Sequence, residues 1–325
     1  MIFDNKTILL TGGTGSFGQK FAEIILKKHN PKTLRIFSRG ELLQWEMTKK
    51  FEDSRLRFLI GDVRDKDRLH RAMNGVDIVV HAAALKQVPA IEYNPIEAIK
   101  TNVMGTANVV DAAIDNNVEK AVLISSDKAV SPVNLYGATK LCAEKLFVQA
   151  NFYTGAKKTK FSCVRYGNVI ASRGSVIPLF LEQKKQGVLT VTDKRMTRFW
   201  ITLDQGVQLV VSCINKMRGG EIFIPKIPSM KIMDLAKIIA PDAKVEVIGI
   251  RPGEKLHEVL LSKEETTHSK EFENHFIVEP EFSFWKPEGY ENGDNLPDNF
   301  EYSSDNNNQW LDREQLKEIL KNLKL

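Results

Sequence analysis

A tyrosine and a lysine four residues apart, Tyr136 and Lys140, are the residues of this chain best suited to proton transfer. Four residues make about one helical turn, so both side chains would share a helix face. An ammonium group beside a phenol stabilises the phenolate, which makes Tyr136 a candidate base near neutral pH. Ser126 ends a predicted strand and could bond the same substrate oxygen. The alternative is that Tyr136 and Lys140 are ordinary helix-face residues.

Two ionisable residues, Asp127 and Lys128, directly follow Ser126. A protonated carboxyl can deliver a proton to a departing hydroxyl, and a lysine partly desolvated in a pocket can serve as a base near neutral pH. The pair therefore offers an acid and a base directly after Ser126. The alternative is a surface ion pair that caps a loop.

A glycine-rich run begins at Gly12, directly after the apolar segment 7–11. Gly13, Gly15 and Gly18 fit the G-x-G-x-x-G fingerprint of dinucleotide-binding loops. Gly12, Gly15 and Gly18 fit its variant G-x-x-G-x-x-G. Glycines permit the tight turn and let the backbone approach a pyrophosphate at a helix N-terminus. Because a strand precedes the run and a helix follows, a dinucleotide site is predicted, the alternative being a tight turn without a ligand. The predicted cofactor contacts here are Gly12, Thr14, Gly15, Ser16, Phe17 and Gly18.

The end of the second predicted strand indicates which dinucleotide binds. A cofactor without a 2′-phosphate usually meets an Asp or Glu at this point. This chain has Ser38 and Arg39 instead, with Glu41 only nearby. A fork of donors suits a phosphate, so the pair favours NADP over NAD, unless Arg39 simply faces solvent.

Further candidates follow the third and fourth predicted strands. Asp62 could accept a hydrogen bond from an adenine amino group, or merely cap the next helix. His81 is expected in the packed core rather than in catalysis. Lys86 is expected above the sheet, in contact with cofactor or substrate. The predicted cofactor contacts in this region are Asp62, Val63, Ala82 and Lys86.

Strand-like and helical patterns alternate through the first half of the chain, which predicts a Rossmann-type α/β fold with a doubly wound parallel sheet. Short runs rich in Val, Ile, Leu or Phe are typical of buried parallel strands. Such strands are predicted at 7–11, 34–37, 56–60, 78–81, 121–125 and 161–165. Helices are predicted between them at 17–29, 41–51, 96–116 and 134–152.

The pattern loosens after residue 166, which predicts a smaller substrate-binding lobe. We predict a cofactor domain over 1–170, with later parts of the chain returning to its sheet, a lobe mainly over 171–280, and an irregular extension over 281–325. Helices are predicted at 174–187, 206–217, 230–239 and 312–323, a strand at 245–248, and irregular backbone at 280–308.

Composition excludes several classes of protein. The chain has 325 residues, of which 27% are charged and 42% hydrophobic, as in globular domains. A net charge of +5 is small, and the basic residues are scattered, so no nucleic-acid partner is expected. The three cysteines are far apart and no metal-site spacing occurs, so neither disulfides nor a metal is expected. No segment suggests a leader or a membrane span, and a cytoplasmic protein is expected.

With its glycine loop, Ser126 and the Tyr136-Gly-Ala-Thr-Lys140 motif, the chain resembles the extended short-chain dehydrogenase/reductase family, which acts on nucleotide sugars. Residues 1 to about 280 carry the resemblance. Within the family, Ser-Asp-Lys at 126–128, Met-Thr-Arg-Phe-Trp at 196–200 and Arg-Pro-Gly-Glu-Lys-Leu-His-Glu at 251–258 are similar to the inverting UDP-N-acetylglucosamine 4,6-dehydratases. That group serves pseudaminic acid or capsule sugar pathways.

The resemblance implies UDP-N-acetylglucosamine as the substrate, NADP as the cofactor, and a homo-oligomer, either a dimer or a hexamer. It implies that Tyr136 takes the C4 hydroxyl proton, Lys128 the C5 proton, and that Asp127 protonates the C6 hydroxyl. Residues 169–173 resemble the loop beside the nicotinamide, which adds Val169 and Arg173. The implied substrate contacts are Lys86, Asn168, Val176, Thr190, Arg251 and Glu254.

Two other functions stay open on the sequence. A UDP-sugar 4-epimerase would share the glycine loop, Tyr136 and Lys140, but it has no use for the Asp127-Lys128 pair. A non-catalytic NADP-binding regulator would share the fold, but it has no use for Ser126, Tyr136 and Lys140 together. Arg251 and Glu254 could also form only a capped turn, and Arg198, Trp200 and His257 could be core residues.

Overall fold

A ten-stranded sheet forms the centre of the structure, a computed structural model that describes residues 1–170, 172, 175–281 and 289–322. Its parallel part confirms the predicted doubly wound fold. The parallel strands, in spatial order, are β3 (Leu56–Ile60), β2 (Thr33–Ser38), β1 (Thr7–Thr11), β4 (Ile78–His81), β5 (Lys120–Ile124), β6 (Lys160–Val164) and β10 (Ile222–Pro225). The antiparallel strands β15 (His275–Val278), β14 (Ser269–Glu271) and β16 (Asp294–Asn295) follow at the edge.

The first six parallel strands lie within one residue of their predicted bounds. Prediction succeeded best for the central strands, which are covered on both faces and are therefore continuous apolar runs; all residues of β1 and β4 are buried. The helices of this half are α1 (Ser16–Lys28), α2 (Glu41–Lys50), α3 (Lys66–Met73), α4 (Val88–Tyr93), α5 (Pro95–Ala98), α6 (Gly105–Asp115) and α7 (Leu135–Ala150).

The helix predicted over 96–116 forms, but its middle turn is not α-helical. A π-helical segment, Ile99–Met104, separates α5 from α6. Within it Asn102 is buried, and its side chain bonds both the N–H and the carbonyl of Leu85 as well as the Thr139 hydroxyl. The wider turn therefore lies where the Asn102 side chain links the loop after β4 to α7. This link is a tertiary contact, so the hydrophobic periodicity of the sequence does not indicate it.

A second, smaller hydrophobic cluster lies apart from the main core. Ile177, Phe180, Trp200 and Leu235 are among its buried members, and Leu316 near the C-terminus packs into it. Its elements are α8 (Val176–Lys184), β8 (Val188–Val191), β9 (Thr197–Ile201), β11 (Ser229–Lys231), α10 (Ile232–Ile239), β12 (Lys244–Val247) and α12 (Arg313–Asn322). The short strand β7 (Asn168–Val169) pairs with β9, but its Val169 packs against the main core.

The remaining elements return to the main core. Helix α9 (Leu203–Lys216) packs on α1, and its Thr202–Gln205 capping box fixes where it begins. Strand β13 (Val259–Leu261) leads into the short helix α11 (Lys263–Thr266) and pairs with β17 (Tyr302–Ser303). The stretch 280–308, predicted irregular, thus contains β16 and β17, and residues 282–288 of it lie outside the described residues. No helix in the described part of the chain is long and apolar enough to cross a membrane.

Candidate active site

A cavity of about 600 Å³ is lined by most of the residues that the sequence suggested for cofactor binding and catalysis. It lies at the carboxyl ends of the parallel strands, the position at which doubly wound folds bind ligands. The glycine loop and the Ser126–Lys140 stretch, more than a hundred residues apart, both line it. The predicted site residues in its wall are Gly12, Thr14, Gly15, Ser16, Phe17, Gly18, Ser38, Arg39, Asp62, Val63, Ala82, Lys86, Ser126, Lys128, Tyr136, Lys140, Asn168 and Val169.

The glycine loop fits a dinucleotide because its backbone is packed where side chains would intrude. Gly12 has φ +67°, and a Cβ on it would lie 2.8 Å from the backbone nitrogen of Ala83. A Cβ on Gly18 would overlap the carbonyl oxygen of Gly13. The loop therefore closes tightly on the N-terminus of α1, whose first residues Ser16, Phe17 and Gly18 line the cavity where a pyrophosphate would bind.

The end of β2 carries the residues predicted to select the cofactor. Arg39 is exposed and lines the cavity, while the Ser38 hydroxyl accepts a hydrogen bond from Gln44 at 3.0 Å. Asp62 also lines the cavity and pairs with Arg64 at 2.6 Å. The alternative that Asp62 merely caps the next helix is wrong, because Asp65 caps α3.

His81 is a core residue, as expected. It is buried between the hydroxyls of Thr11 and Thr106, at 2.6 and 3.1 Å, and stacks on Phe147. Burial, followed by the charge of Lys140, lowers the pKa of His81 to about 3. The imidazole is therefore neutral at physiological pH and serves packing rather than proton transfer.

Asp127 and Lys128 form a turn of 3₁₀-helix directly after β5. The Lys128 Nζ lies 2.9 Å from Asp127 Oδ1 and 3.3 Å from Asn168 Oδ1. Ser126 donates a hydrogen bond to the same Asp127 oxygen at 2.7 Å. Asp127 itself is fully buried behind the cavity wall, and its Oδ2 has no hydrogen-bond partner among the described residues. The alternative of a surface ion pair is therefore wrong.

The protonation balance of Lys128 differs from the sequence prediction. Burial alone lowers the pKa of its ammonium group, but the carboxylates of Asp127 and Glu258 outweigh burial and hold that pKa above its usual value. Glu258 Oε1 lies 3.3 Å from Lys128 Nζ. The lysine expected to be neutral through desolvation is thus an ammonium group between two acids.

Tyr136 and Lys140 share a face of α7, and both line the cavity. Burial raises the pKa of Tyr136 to about 12, opposed by the charge of Lys128 and by a hydrogen bond with Ser126. Lys140 donates to the carbonyl of Ile124 at 2.6 Å, and burial lowers its pKa to about 8. The cation that lowers the tyrosine pKa here is therefore Lys128, where the sequence predicted Lys140.

The structure leaves several predicted substrate contacts outside the cavity wall. Thr190 bonds Gln183 through both its N–H and its hydroxyl, within the second cluster. Arg251 is exposed, and its N–H donates to Glu254 Oε2 at 3.2 Å, so that the capped turn considered as an alternative does form. Val176 begins α8 next to Ser175, which does line the cavity. Arg173 lies outside the described residues.

Sequence reasoning missed several residues of the cavity and its surroundings. Tyr166 and Gly167, just after β6, line the cavity, as do Thr101 and Leu203. Tyr166 and Gly167 could have been predicted to line the site, because they follow the carboxyl end of a parallel strand. Glu258 stands in the motif 251–258 that carried the family resemblance, but nothing in one sequence indicates that it reaches Lys128.

A family model described as "Polysaccharide biosynthesis protein" matches residues 8–280, most of the chain. The chain belongs to this polysaccharide biosynthesis family. The matched range ends shortly before residues 282–288 and includes every residue named above as lining the cavity.

Three similar proteins each match most of the chain. It is 51% identical over 328 residues to the UDP-N-acetylglucosamine 4,6-dehydratase (inverting) of Campylobacter jejuni strain 81-176, covering 98% of both chains. It is 45% identical over 285 residues to a UDP-glucose 4-epimerase of Rickettsia conorii, covering 85% of this chain and 84% of the other. The X-ray structure of Pen from Bacillus thuringiensis superposes with a TM-score of 0.91 at 41% identity, covering 100% and 99%.

Proposed function

We propose that this protein is an NADP-dependent, inverting UDP-N-acetylglucosamine 4,6-dehydratase, a carbon–oxygen lyase. The observation that carries the proposal is the Asp127–Lys128 ion pair, in which the carboxylate is fully buried and the lysine lines the same cavity as Tyr136 and Lys140. The Campylobacter relative, 51% identical over nearly the whole chain, supports the same reaction. The arrangement offers a base for the C4 hydroxyl, a base for the C5 hydrogen and an acid for the departing C6 hydroxyl.

The first step is oxidation at C4. A bound nicotinamide dinucleotide would accept hydride from C4 and later return it to C6. Tyr136 would take the proton of the C4 hydroxyl, with Ser126 hydrogen-bonded to it. A tyrosine buried as this one is needs nearby positive charge to ionise, and Lys128 and Lys140 both line its cavity.

The second step is loss of water. The C4 ketone acidifies the C5 hydrogen, and Lys128 in its amine form would take that proton. The electron pair of the C5–H bond forms the C5–C6 double bond as the C6 hydroxyl departs. Asp127 would supply the proton that turns the leaving hydroxyl into water. The Ser126 hydroxyl would relay this proton from the buried carboxyl to the substrate, because it bonds Asp127 and also lines the cavity.

The last step restores C5 and C6. Return of hydride to C6 and of a proton to C5, from the face opposite to the one that lost it, gives the inverted 4-keto-6-deoxy sugar. Oxidation at C4 and reduction at C6 cancel, so the net change is loss of one water.

A UDP-sugar 4-epimerase is the second candidate, favoured by the 45% identity to the Rickettsia protein. Epimerisation at C4 needs Tyr136 and the cofactor, but it removes no proton from C5 and protonates no C6 hydroxyl. A buried carboxylate–lysine pair is costly to keep in a protein without such a use.

Isotope labelling with UDP-N-acetylglucosamine separates these two reactions. In D₂O the dehydratase should place deuterium at C5 of the product, since the C5 proton passes through an exchangeable ammonium group. With C4-deuterated substrate in ordinary water, the label should reappear at C6. Mass spectrometry reads the loss of water, and NMR reads the label position and the configuration at C5.

The opposite results are equally clear. Retained water, an unlabelled C5 and return of the C4 label to C4 would establish an epimerase. Deuterium at C5 with unchanged configuration would keep the dehydratase and reject inversion. No turnover of any UDP-sugar, with NADP bound, would favour the non-catalytic regulator.

The proposal also covers the pathway, the cellular location, the oligomeric state and the substrate contacts of the protein. We propose that the product enters a pathway such as that of pseudaminic acid or a capsule sugar, in the cytoplasm, and that the protein is a homo-oligomer. Asn168, Val176, Thr190, Arg251 and Glu254 remain proposed substrate contacts, the last four requiring the substrate to extend beyond the cavity wall described above.

A further inference from the structure

Glu258 is a buried acid that the mechanism above does not use. It is 3% exposed, and its Oε1 lies 3.3 Å from Lys128 Nζ. Its Oε2 has no hydrogen-bond partner among the described residues. An incompletely paired buried carboxylate costs stability, which calls for a role in the site it faces.

The chain holds Glu258 in place from two sides. Its N–H donates to the Ser304 hydroxyl at 2.9 Å, and the Ser304 N–H donates to its carbonyl at 2.8 Å. On the other side, Arg198 donates to the carbonyls of Lys255 and Leu256. The C-terminal region and strand β9 together therefore fix the backbone that presents this carboxylate.

The charged groups around Lys128 come from four parts of the chain. The Arg198 Nε lies 3.6 Å from Glu258 Oε1, and the Lys255 Nζ lies 3.9 Å from Oε2. Lys255 also donates to the Val130 carbonyl, next to the 3₁₀ turn. The titratable and charged groups of this cluster are Asp127, Lys128, Tyr136, Arg198, Lys255 and Glu258.

The proposed chemistry gives Lys128 a need for two acids. Asp127 must hold a proton in order to donate it to the C6 hydroxyl, and in that form it no longer balances the ammonium charge. When Lys128 takes the C5 proton, a cation forms in a buried site. A second carboxylate, 3.3 Å away, stabilises that cation whichever state Asp127 occupies.

We propose that Glu258 is a positioning residue for the dehydration: it orients Lys128 and serves as the permanent counterion of its ammonium form, which leaves Asp127 free to act as the acid. This inference rests on the proposed function. It assigns to the motif 251–258 a part in the elimination step, in addition to the substrate contacts expected from its first residues.

The test is Glu258→Gln, which keeps the shape and removes the charge. A carboxylate favours the ammonium form, so its removal lowers the pKa of Lys128 and makes the amine available at lower pH. The rate of deuterium entry at C5, plotted against pH, has a rising limb where Lys128 loses its proton. This limb should move to lower pH by about one unit. Its plateau should fall by up to about tenfold, because the weaker base transfers the proton more slowly. The KM for UDP-N-acetylglucosamine and oxidation at C4 should change little.

Matched variants separate this role from a structural one. Glu264→Gln makes the same change at an exposed position six residues away and should leave the profile unchanged. Ser304→Ala keeps the carboxylate but loosens its backbone, and it should lower the plateau without moving the limb. Glu258→Asp should restore the position of the limb while recovering only part of the rate.

The outcomes are distinguishable. A folded Glu258→Gln variant that dehydrates the substrate with an unmoved pH limb overturns the role of Glu258 and leaves the dehydratase standing. If Glu258→Gln does not fold, a wild-type plateau for Ser304→Ala overturns the role. Absence of water loss by the unmodified protein overturns the proposed function and this inference together.

Discussion

Lys128 and Gly137 touch backbone to backbone across the candidate active site. A Cβ built on Gly137 would overlap the carbonyl oxygen of Lys128. Asn134 caps α7 by accepting a hydrogen bond from the Gly137 N–H at 2.8 Å, and it donates to the Gly253 carbonyl at 2.7 Å. The missing side chain therefore lets the turn that carries the proposed carbon base pack directly on the helix that carries Tyr136.

Gly137→Ala should separate these two elements. The added methyl must push the Lys128 backbone away from α7, so we expect turnover to fall about tenfold or more, with a destabilisation of roughly 1–3 kcal/mol from overpacking. Steady-state kinetics and thermal unfolding measure both effects. Gly206→Ala, in α9, is the control, because its Cβ would meet only Tyr166 at 3.9 Å. Wild-type turnover in Gly137→Ala would show that the close packing is not needed.

Lys128 and Tyr136 should fail at different steps. Tyr136→Phe removes the group that takes the C4 hydroxyl proton and should slow oxidation. Lys128→Ala removes a charge that favours the phenolate, so oxidation should slow, but less than in Tyr136→Phe. Elimination should be blocked, so reduced nicotinamide accumulates in a single turnover. The absorbance of the reduced cofactor distinguishes the two variants. Normal dehydration by Lys128→Ala would remove Lys128 as the base at C5.

Arg39 should determine which dinucleotide binds. Arg39→Asp replaces a donor fork with a repelling charge, so NADP affinity should fall about 10- to 100-fold, the range for hydrogen bonds to charged groups. NAD affinity should fall less or rise. Arg57→Asp, the same change at an exposed site outside the cavity wall, is the control. Titrations that find tighter NAD binding in the unmodified protein would contradict the NADP assignment.

His81 should make stability depend on pH in the acid range. Its pKa is lowered by burial to about 3 in the folded chain, against an ordinary value of 6.5, so the unfolded state binds the extra proton. The stability present above pH 6.5 should therefore be lost as pH falls toward 3, at about 1.4 kcal/mol per pH unit from this residue. Denaturant unfolding of His81→Gln across this range should show a shallower slope. The exposed His70→Gln should keep the wild-type slope.

Six parallel strands of the sheet and the residues proposed for the site could be predicted from the sequence alone. Strands buried on both faces leave continuous apolar runs, and a glycine loop between a strand and a helix has few other uses, so both could be predicted locally. The spacing of Ser126, Tyr136 and Lys140 is likewise local, since one strand end and one helix turn bring them together.

Only the tertiary structure decided how charge is arranged around Lys128. Glu258 lies 130 residues further along the chain, and it reaches the lysine because β13 pairs with β17 near the C-terminus. Its carboxylate, with that of Asp127, reverses the effect of burial on the lysine pKa. Electrostatic energy depends on distance in space and on desolvation, and neither is encoded in the spacing of residues along one chain.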